Sequence, residues 1–302
     1  MRIGTKWALL GALALTTLGA APVGASHDRG DRCDSDRSGR YSSSYDRRGG
    51  DDLLVFGLTY NQRLVCFQSD APGDAEKVGR IDDLVGDTRL VGIDFRVANG
   101  ELYGQGDQGG IYIIETDDAS TSKVGQLTIP LRGTNFGVDF NPAADALRII
   151  SDEGQNLRHP FAGPTAGTTV NDGTLNYVGP PAVSPALGVT AAGYTNNDTD
   201  PDTATTLYDL DSNLDQTVIQ APPNAGTLNA VGKTGVDISP RNGFDVYSIV
   251  RDGTAQRVRA FAALKVNGDS GFYRINLVNG QATFIGGLPF NLDGVAIPLN
   301  QI

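Results

Sequence analysis

Four aspartates beside similar short phrases are the first candidates for chemistry. Asp94, Asp139 and Asp245 lie in the phrases Gly-Ile-Asp-Phe, Gly-Val-Asp-Phe and Gly-Phe-Asp-Val, and Asp293 begins a comparable phrase near the C-terminus. Several carboxylates around one point cannot all stay ionised without a counter-charge, so they would raise one another's pKa or bind a hard cation such as calcium. They would then form a metal site or a polar ligand funnel. Alternatively, each aspartate caps backbone amides where its strand begins.

A second acidic pattern resembles the first half of a calcium-binding loop. Its alternating oxygen ligands would be Asp209, Asp211, Asn213 and Asp215. Leu214 occupies the position where such a loop has glycine, and no glutamate closes the loop. The alternative is therefore a plain hairpin turn around Asn213.

Arginines and amides form the densest polar cluster outside the acidic loops. Arg148 and Arg158, with Gln155 and Asn156 between them, could hold a carboxylate or a sugar hydroxyl. The arginines could equally form salt bridges with an aspartate of the fold. The predicted ligand-binding residues are Asp94, Asp139, Asn141, Arg148, Gln155, Asn156, Arg158, Asp245 and Asp293.

The elements that must position these side chains are short strands that repeat along the chain. Five phrases end in a β-branched residue and a glycine, and those glycines are Gly79, Gly125, Gly179, Gly232 and Gly286. Their separations are 46, 54, 53 and 54 residues. Such a period is typical of a β-propeller with one four-stranded sheet per repeat. We predict an all-β propeller of five four-stranded blades. Six blades are the alternative, because residues 235–266 could contain extra strands.

The two ends of this repeat pattern complement each other. Each unit offers an inner strand, two middle strands and an outer Val-Gly strand. Residues 53–79 lack an inner strand, whereas residues 294–298 supply one with no further strand after it. We expect the two ends to join in one blade, because ring closure protects the edges of the sheets.

The N-terminus has the features of a secretory signal. Arg2 and Lys6 precede an apolar stretch at 7–21, and a small-residue site predicts cleavage after Ala25 and hence a secreted protein. No later apolar run reaches about 18 residues, so we expect no transmembrane anchor. Residues 26–52 contain six Arg and seven Asp among small polar residues, which predicts a disordered linker or a charged tether.

The propeller domain at 53–302 is acidic. The chain carries −11; without the two leader cations this becomes −13, and the linker accounts for −1, which leaves −12. Such a surface repels phosphate backbones, so nucleic acid is excluded as a partner, whereas cations are compatible. Cys33 and Cys66 could pair in an exported protein or stay free.

Several motifs together resemble one known family. They include the segment 136–145, the segment 154–158, Ala191 to Asn196, and Pro222 to Leu228. With Tyr273 to Leu277 they cover nearly everything from Leu53 onward. The chain resembles the secreted bacterial domain-of-unknown-function family numbered 4394. The resemblance implies an exported propeller-like domain and no particular activity.

Three functions remain open at this stage, and one of them is a structural matrix protein whose ring merely tolerates a metal. A five-bladed glycoside hydrolase would use Asp94, Asp139 or Asp293 as carboxylates, with Glu153 as proton donor. The chain has few glutamates, and its one tryptophan, Trp7, lies in the leader, so sugar platforms of that type are missing. We therefore favour a secreted, monomeric binding or scaffolding propeller, with calcium as the candidate cofactor. Its ligand would be a glycan, peptide or protein outside the cell or in the envelope.

Overall fold

The computed structural model of the protein describes Cys33 and residues 52–179, 184–200 and 202–302. The predicted leader lies outside the described residues, as does the predicted linker apart from Cys33 and Asp52.

The described residues form five sheets, which we number as blades along the chain; neighbouring strands run antiparallel except for one short parallel pair in blade 4. Blade 1 contains β1 (Leu54–Thr59), β2 (Arg63–Gln68), β3 (Glu76–Arg80) and the C-terminal β22 (Leu292–Ala296). Blade 2 contains β4 (Leu90–Phe95), β5 (Leu102–Gly106), β6 (Gly110–Ile114) and β7 (Thr121–Gln126). Blade 3 contains β8 (Phe136–Asn141), β9 (Ala146–Ser151), β10 (Asn156–Pro160) and β11 (Val170–Asn171).

The remaining two blades complete the series. Blade 4 contains β14 (Val189–Tyr194), β15 (Leu207–Asp211), β16 (Gln216–Gln220) and β17 (Thr227–Lys233), with β12 (Asn176–Tyr177) and β13 (Ser184–Pro185) at its outer edge. Blade 5 contains β18 (Gly243–Arg251), β19 (Thr254–Val266), β20 (Asp269–Ile275) and β21 (Ala282–Gly287). Two short 3-10 turns, Pro72–Asp74 and Pro223–Ala225, lie before β3 and β17.

The blades form a closed ring, which confirms the five-bladed propeller. The inner strands contact one another in the order β22, β4, β8, β14 and β18, and β18 in turn contacts β22. The predicted joining of the chain ends is also confirmed, because β22 pairs antiparallel with β1 and places Val295 opposite Gly57. The stretch that left room for a sixth blade is largely taken up by the hairpin of β18 and β19, the long strands of blade 5.

The third Val-Gly phrase differs from the predicted pattern. Tyr177 does not lie in the outer strand of blade 3; β12 instead pairs in parallel with β17 and widens blade 4 to six strands. The outer strand of blade 3 is the two-residue β11, opposite Leu157 and Arg158. Asp172 follows it directly and forms ion pairs with Arg148 and Arg158. These ion pairs hold the chain at blade 3 before it crosses to blade 4.

Apolar side chains fill the spaces between neighbouring blades. The rings of Phe56 in blade 1 and Phe95 in blade 2 lie 5.9 Å apart, and those of Tyr103 in blade 2 and Phe140 in blade 3 lie 5.2 Å apart. Phe67 of blade 1 meets Phe272 of blade 5 edge to face, with a separation of 5.0 Å. The core is therefore a set of layers between sheets rather than one central cluster.

Small residues allow the five inner strands to approach the axis. The equivalent positions hold Gly92, Gly137, Ala191, Gly243 and Gly294. A Cβ atom on Gly137 would lie 2.6 Å from the carbonyl carbon of Ala191, and one on Gly243 would lie 2.6 Å from the backbone nitrogen of Val295. A Cβ on Gly294 would meet nothing closer than 3.5 Å. The close approach therefore leaves no room for a side chain at Gly137 and Gly243, whereas Gly294 has room for one.

This difference gives a matched pair of variants. Gly243→Ala should lower the free energy of unfolding by roughly 1–3 kcal/mol, because the backbone of β22 must shift. Gly294→Ala should be neutral or stabilise by up to about 1 kcal/mol, because the site has room and alanine restricts the unfolded chain. Urea unfolding of both variants measures the difference. Equal losses in the two variants would contradict the steric argument.

The two cysteines, whose state the sequence left open, form a disulfide. Cys33 is bonded to Cys66 in β2, and their Cα atoms lie 5.8 Å apart across a sequence separation of 33 residues. The bond joins the segment before the propeller to the buried face of blade 1, where Cys66 is 2% exposed.

The cross-link should stabilise the fold measurably. Cys33→Ser should lower the free energy of unfolding by about 2–4 kcal/mol, because the unfolded chain regains the freedom of the open loop. Denaturant unfolding under oxidising conditions checks this value. After reduction, the variant and the original protein should unfold at the same denaturant concentration; a difference that persisted would point to another cause.

Candidate functional site at the propeller axis

Three of the four predicted axial aspartates meet at the centre of the ring. Asp94 lies on β4, Asp139 on β8 and Asp245 on β18, and their carboxylates offer oxygen atoms within 4.8 Å of one another. Their side chains are 6%, 3% and 2% exposed. Among the described residues, this is the group of acidic side chains whose geometry could hold a metal ion.

Each of these carboxylates accepts a backbone hydrogen bond from the next blade. Asp94 Oδ2 accepts the amide of Phe140 at 2.7 Å, and Asp139 Oδ1 accepts the amide of Tyr194 at 2.9 Å. Asp245 Oδ2 accepts the amide of Ile297 at 2.6 Å. Three of the five junctions between inner strands are therefore bridged by a carboxyl group that accepts a backbone hydrogen bond.

The same carboxylates satisfy the two equivalent amides that remain. Asp94 Oδ1 accepts the amide of Phe95 at 2.7 Å, and Asp245 Oδ1 accepts that of Val246. Blades 4 and 1 carry Gly193 and Ala296 at the aspartate position, so they have no carboxylate to offer. Three aspartates thus serve all five amides, and this is the capping arrangement that the sequence offered as an alternative to a metal site.

Burial and mutual repulsion raise the pKa of all three carboxyl groups. Burial is the largest cause in each case, and it raises the pKa of Asp245 to about 7. The pKa of Asp94 is raised further by Asp245, and that of Asp139 by Asp94 and Asp245; the backbone hydrogen bonds act in the opposite direction. The five hydrogen bonds from backbone amides engage five of the six carboxylate oxygens. Asp139 Oδ2 is the one oxygen that accepts none of these five hydrogen bonds. A proton or a cation near that oxygen would offset the repulsion.

The axis is narrow on the face where the inner strands begin. Where the inner strands begin, the cavity on the axis measures about 20 Å³, and the next layer, lined by Gly92, Gly137, Gly243 and Gly294, measures about 10 Å³. A cavity needs roughly 10–15 Å³ to hold one water molecule. One water or one ion fits, whereas a sugar ring does not.

Asp293 does not join the axial group, contrary to the sequence interpretation. It lies three residues before Ala296, at the mouth of the axis, where Arg241 donates two hydrogen bonds to its carboxylate. The predicted proton donor Glu153 is exposed in the turn between β9 and β10. The carboxylates of the hydrolase hypothesis are therefore not gathered around one accessible space.

The arginine cluster is a buried polar network between blades 3 and 4. Arg148 is 1% exposed and donates to Asp172 at 2.7 Å, to Asn156 at 2.8 Å and to Asn224 at 2.7 Å. Its Nε also donates to the hydroxyl of Tyr194 at 3.2 Å. The arginine is fully engaged by the protein itself and joins the two blades.

The other members of the predicted ligand-binding set also bond within the fold. Arg158 pairs with Asp172 at 3.1 Å, and Gln155 bonds the backbone of Arg132 and Pro130. Asn141 accepts the amide of Ala144 in the turn after β8.

The residues of the predicted calcium loop are not brought together. Asp211 accepts amides of its own hairpin turn and the hydroxyl of Tyr177, and Asp215 accepts the amide of Ile238. Asn213 donates to the carbonyl of Leu187.

Asp209, the first residue of that loop, points into the fold and is fully buried. Within the described part of the chain neither of its oxygens has a hydrogen-bond partner. Burial raises its pKa well above the usual range, against the opposing effect of Arg148. An uncharged carboxyl is the form that this environment favours.

Sequence reasoning missed a cleft between blades 1 and 5 on the face where the inner strands begin. We call it the 1/5 cleft; it measures about 320 Å³ and is lined by Tyr60, Asp237, Ser239, Arg241, Lys265, Asn267 and Gly268. These residues come from both ends of the chain and carry no common motif. The one signal was Asp237, which lies close in sequence to an inner strand.

Comparison with known proteins assigns the chain to a family. The profile described as a domain of unknown function, DUF4394, matches residues 63–296. The chain belongs to the DUF4394 family. The assignment confirms the resemblance found in the sequence, and the matched region begins in β2 and ends at the last residue of β22. No curated protein matches the chain.

Solved structures show distant similarity to this DUF4394 propeller. An auxiliary nutrient binding protein from Bacteroides ovatus matches at 14% identity and a TM-score of 0.39, over 74% of this chain and 56% of that one. A second, from Bacteroides thetaiotaomicron, matches at 12% identity and 0.39, over 82% and 51%. The chain thus spans little more than half the length of these two proteins.

Myxococcus xanthus glutaminyl cyclase matches at 11% identity and a TM-score of 0.41, over 70% of this chain and 90% of that one. TM-scores this low carry no argument about ligand or activity. Within the part of the chain that the structure describes, no helix combines the length and apolarity of a membrane span.

The raised axial pKa values predict how stability varies with pH. A carboxyl whose pKa rises from 3.8 to about 7 on folding, as for Asp245, binds more protons in the folded state. With a metal chelator present, the stabilising contribution of this carboxyl should therefore be largest near pH 4 and be lost as the pH rises to about 7. Melting temperatures across that range measure the decline.

Asp245→Asn provides the matched control. This variant should flatten the decline of stability with pH, because the amide that replaces the carboxyl group does not titrate. Loss of the Asp245 carboxylate also lowers the repulsion on Asp94 and Asp139. Burial lowers the pKa of His159, which gives an opposite slope, but this contribution is the same in both proteins. Parallel curves for the two proteins would contradict an axial origin of the pH dependence.

Proposed function

We propose that this protein is a secreted, non-catalytic binding or scaffolding propeller, with a calcium ion at its axis. Its ligand would be a glycan, a peptide or a protein of the envelope or extracellular space. The observation that carries the proposal is the engagement of the axial carboxylates by backbone amides behind a passage of about 10–20 Å³. Groups held in this way stabilise a ring and are not available as acid and base for a bound substrate.

The rigid ring supports recognition at its loops. Residues from all five blades surround the mouth of the axis, and charged side chains such as Arg89, Arg241 and Asp293 lie there. Recognition commonly takes place on loops that a rigid scaffold positions. The acidic surface of the domain would repel nucleic acid, and the protein would act as a monomer.

Binding and catalysis can be separated in one experiment. The full-length protein is run in native gels that contain neutral or acidic polysaccharides, and the same mixtures are assayed for new reducing ends. We expect retardation by at least one polysaccharide and no release of reducing ends. Release of reducing ends by the pure protein would overturn the proposal in favour of a glycoside hydrolase.

The axial cation is supported by the three buried carboxylates, since oxygen-rich sites of this kind suit calcium. After chelation at neutral pH, added calcium should raise the melting temperature by several degrees, because an ion at a hundred times its dissociation constant contributes about 2.7 kcal/mol. The double variant Asp94→Asn with Asp139→Asn should lose this rise.

A second variant tests the alternative calcium site at the hairpin. Asp211→Asn leaves the axial carboxylates intact, so its calcium-dependent rise should persist. If that variant lost the rise while the axial double variant kept it, calcium would belong to the hairpin. No rise in the original protein would show that protons and amides alone offset the axial charge.

A further inference from the structure

The 1/5 cleft has a wall that is already organised before any ligand arrives. The guanidinium carbon of Arg241 lies 3.4 Å from the centre of the Tyr60 ring, and the Tyr60 hydroxyl donates to the Arg241 carbonyl at 3.0 Å. Asp293 holds the other side of the same guanidinium through two hydrogen bonds. Three side chains from blades 1 and 5 are thus locked together, so little conformational entropy remains to be lost on binding.

Other polar groups of the cleft are not engaged in this way. The ammonium of Lys265 lies 5.9 Å from the Tyr60 ring centre, and within the described residues it forms no ion pair with Asp237. Asp237 and Asn267 are exposed on opposite segments, the loop before β18 and the turn after β19. The Lys265 ammonium, the Asp237 carboxylate and the Asn267 amide therefore line a shared space without forming hydrogen bonds to one another.

The charges around the cleft balance. Arg241 and Lys265 supply two positive charges, and Asp237 and Asp293 supply two negative ones. A ligand with a large net charge gains little from such a lining, because attraction to one pair is offset by repulsion from the other. A ligand that carries many groups able both to donate and to accept hydrogen bonds matches the lining well.

We infer that the 1/5 cleft binds one neutral sugar unit of a glycan, an inference that rests on the proposed binding function. Sugar hydroxyl groups donate to the Asp237 carboxylate and accept from the Lys265 ammonium, and the amide of Asn267 does both. The apolar ring of Tyr60 contributes a packing surface beside them. The cleft volume of about 320 Å³ is far above the roughly 10–15 Å³ that one water molecule needs, so the cleft has room for a ligand much larger than a water or an ion.

The test uses full-length protein and defined tetrasaccharides. Isothermal titration is performed with neutral tetrasaccharides of glucose, mannose, galactose and xylose, with tetragalacturonate, and with zwitterionic tetraglycine. We expect at least one neutral tetrasaccharide to bind better than tetragalacturonate and tetraglycine. The double variant Asp237→Asn with Lys265→Gln should weaken that binding by about tenfold or more, since hydrogen bonds to charged groups are lost.

Asp117→Asn is the matched control, because Asp117 is an exposed carboxylate in the turn after β6, away from the cleft. It should leave the dissociation constant unchanged within about twofold, and all variants should keep the melting temperature of the original protein. Equal affinities of the cleft variant and the control would overturn the cleft assignment. Preference for tetragalacturonate or for tetraglycine would overturn the neutral-sugar assignment.

These outcomes are distinct from failure of the proposed function. A glycan that binds equally to the cleft variant places the site elsewhere on the propeller and leaves a binding role intact. Release of reducing ends would contradict the proposed non-catalytic function, whatever the cleft binds. Absence of heat with every tetrasaccharide overturns the sugar assignment and leaves peptide or protein ligands for the binding role.

Discussion

Five backbone amides and three carboxylates at the axis hold this ring together. Asp94, Asp139 and Asp245 each bond an amide one repeat further along the chain, at sequence separations of 46, 55 and 52 residues. These bonds lie in a buried setting, where an unsatisfied amide would cost about 1–3 kcal/mol. Three of these bonds link the inner strands of successive blades, at three of the five junctions of the ring.

The same constraint explains why the inner strands pack closely around the axis. An aspartate reaches the neighbouring amide only if the inner strands come close, and glycine or alanine two residues earlier makes that approach sterically possible. The close approach then leaves space for about one water or ion. The three carboxylates thus have a structural use in this fold, because they accept hydrogen bonds from the backbone of neighbouring inner strands.

Blades 3 and 4 are joined differently, through polar side chains away from the axis. Arg148 donates hydrogen bonds to four acceptors from the two blades. The two-residue β11 ends just before Asp172, which is one of these acceptors. Breaking such a buried pair would leave a charge without a partner, which is strongly destabilising. The network also accounts for the altered path of the chain, in which β12 adds to blade 4 instead of completing blade 3.

The sequence by itself determined the repeat and the joining of the two ends and favoured five blades over six. The reason is that strand phrases recur at a nearly constant period, although the third Val-Gly phrase lies beside blade 4 and not in blade 3. It also identified three axial aspartates, since they occupy the same place in the inner-strand phrase. Only the tertiary structure decided that Asp293 pairs with Arg241, that Cys33 bonds Cys66, and that the 1/5 cleft exists. The physical reason is that these contacts join segments far apart in the chain, and ring closure rather than local pattern sets their distances.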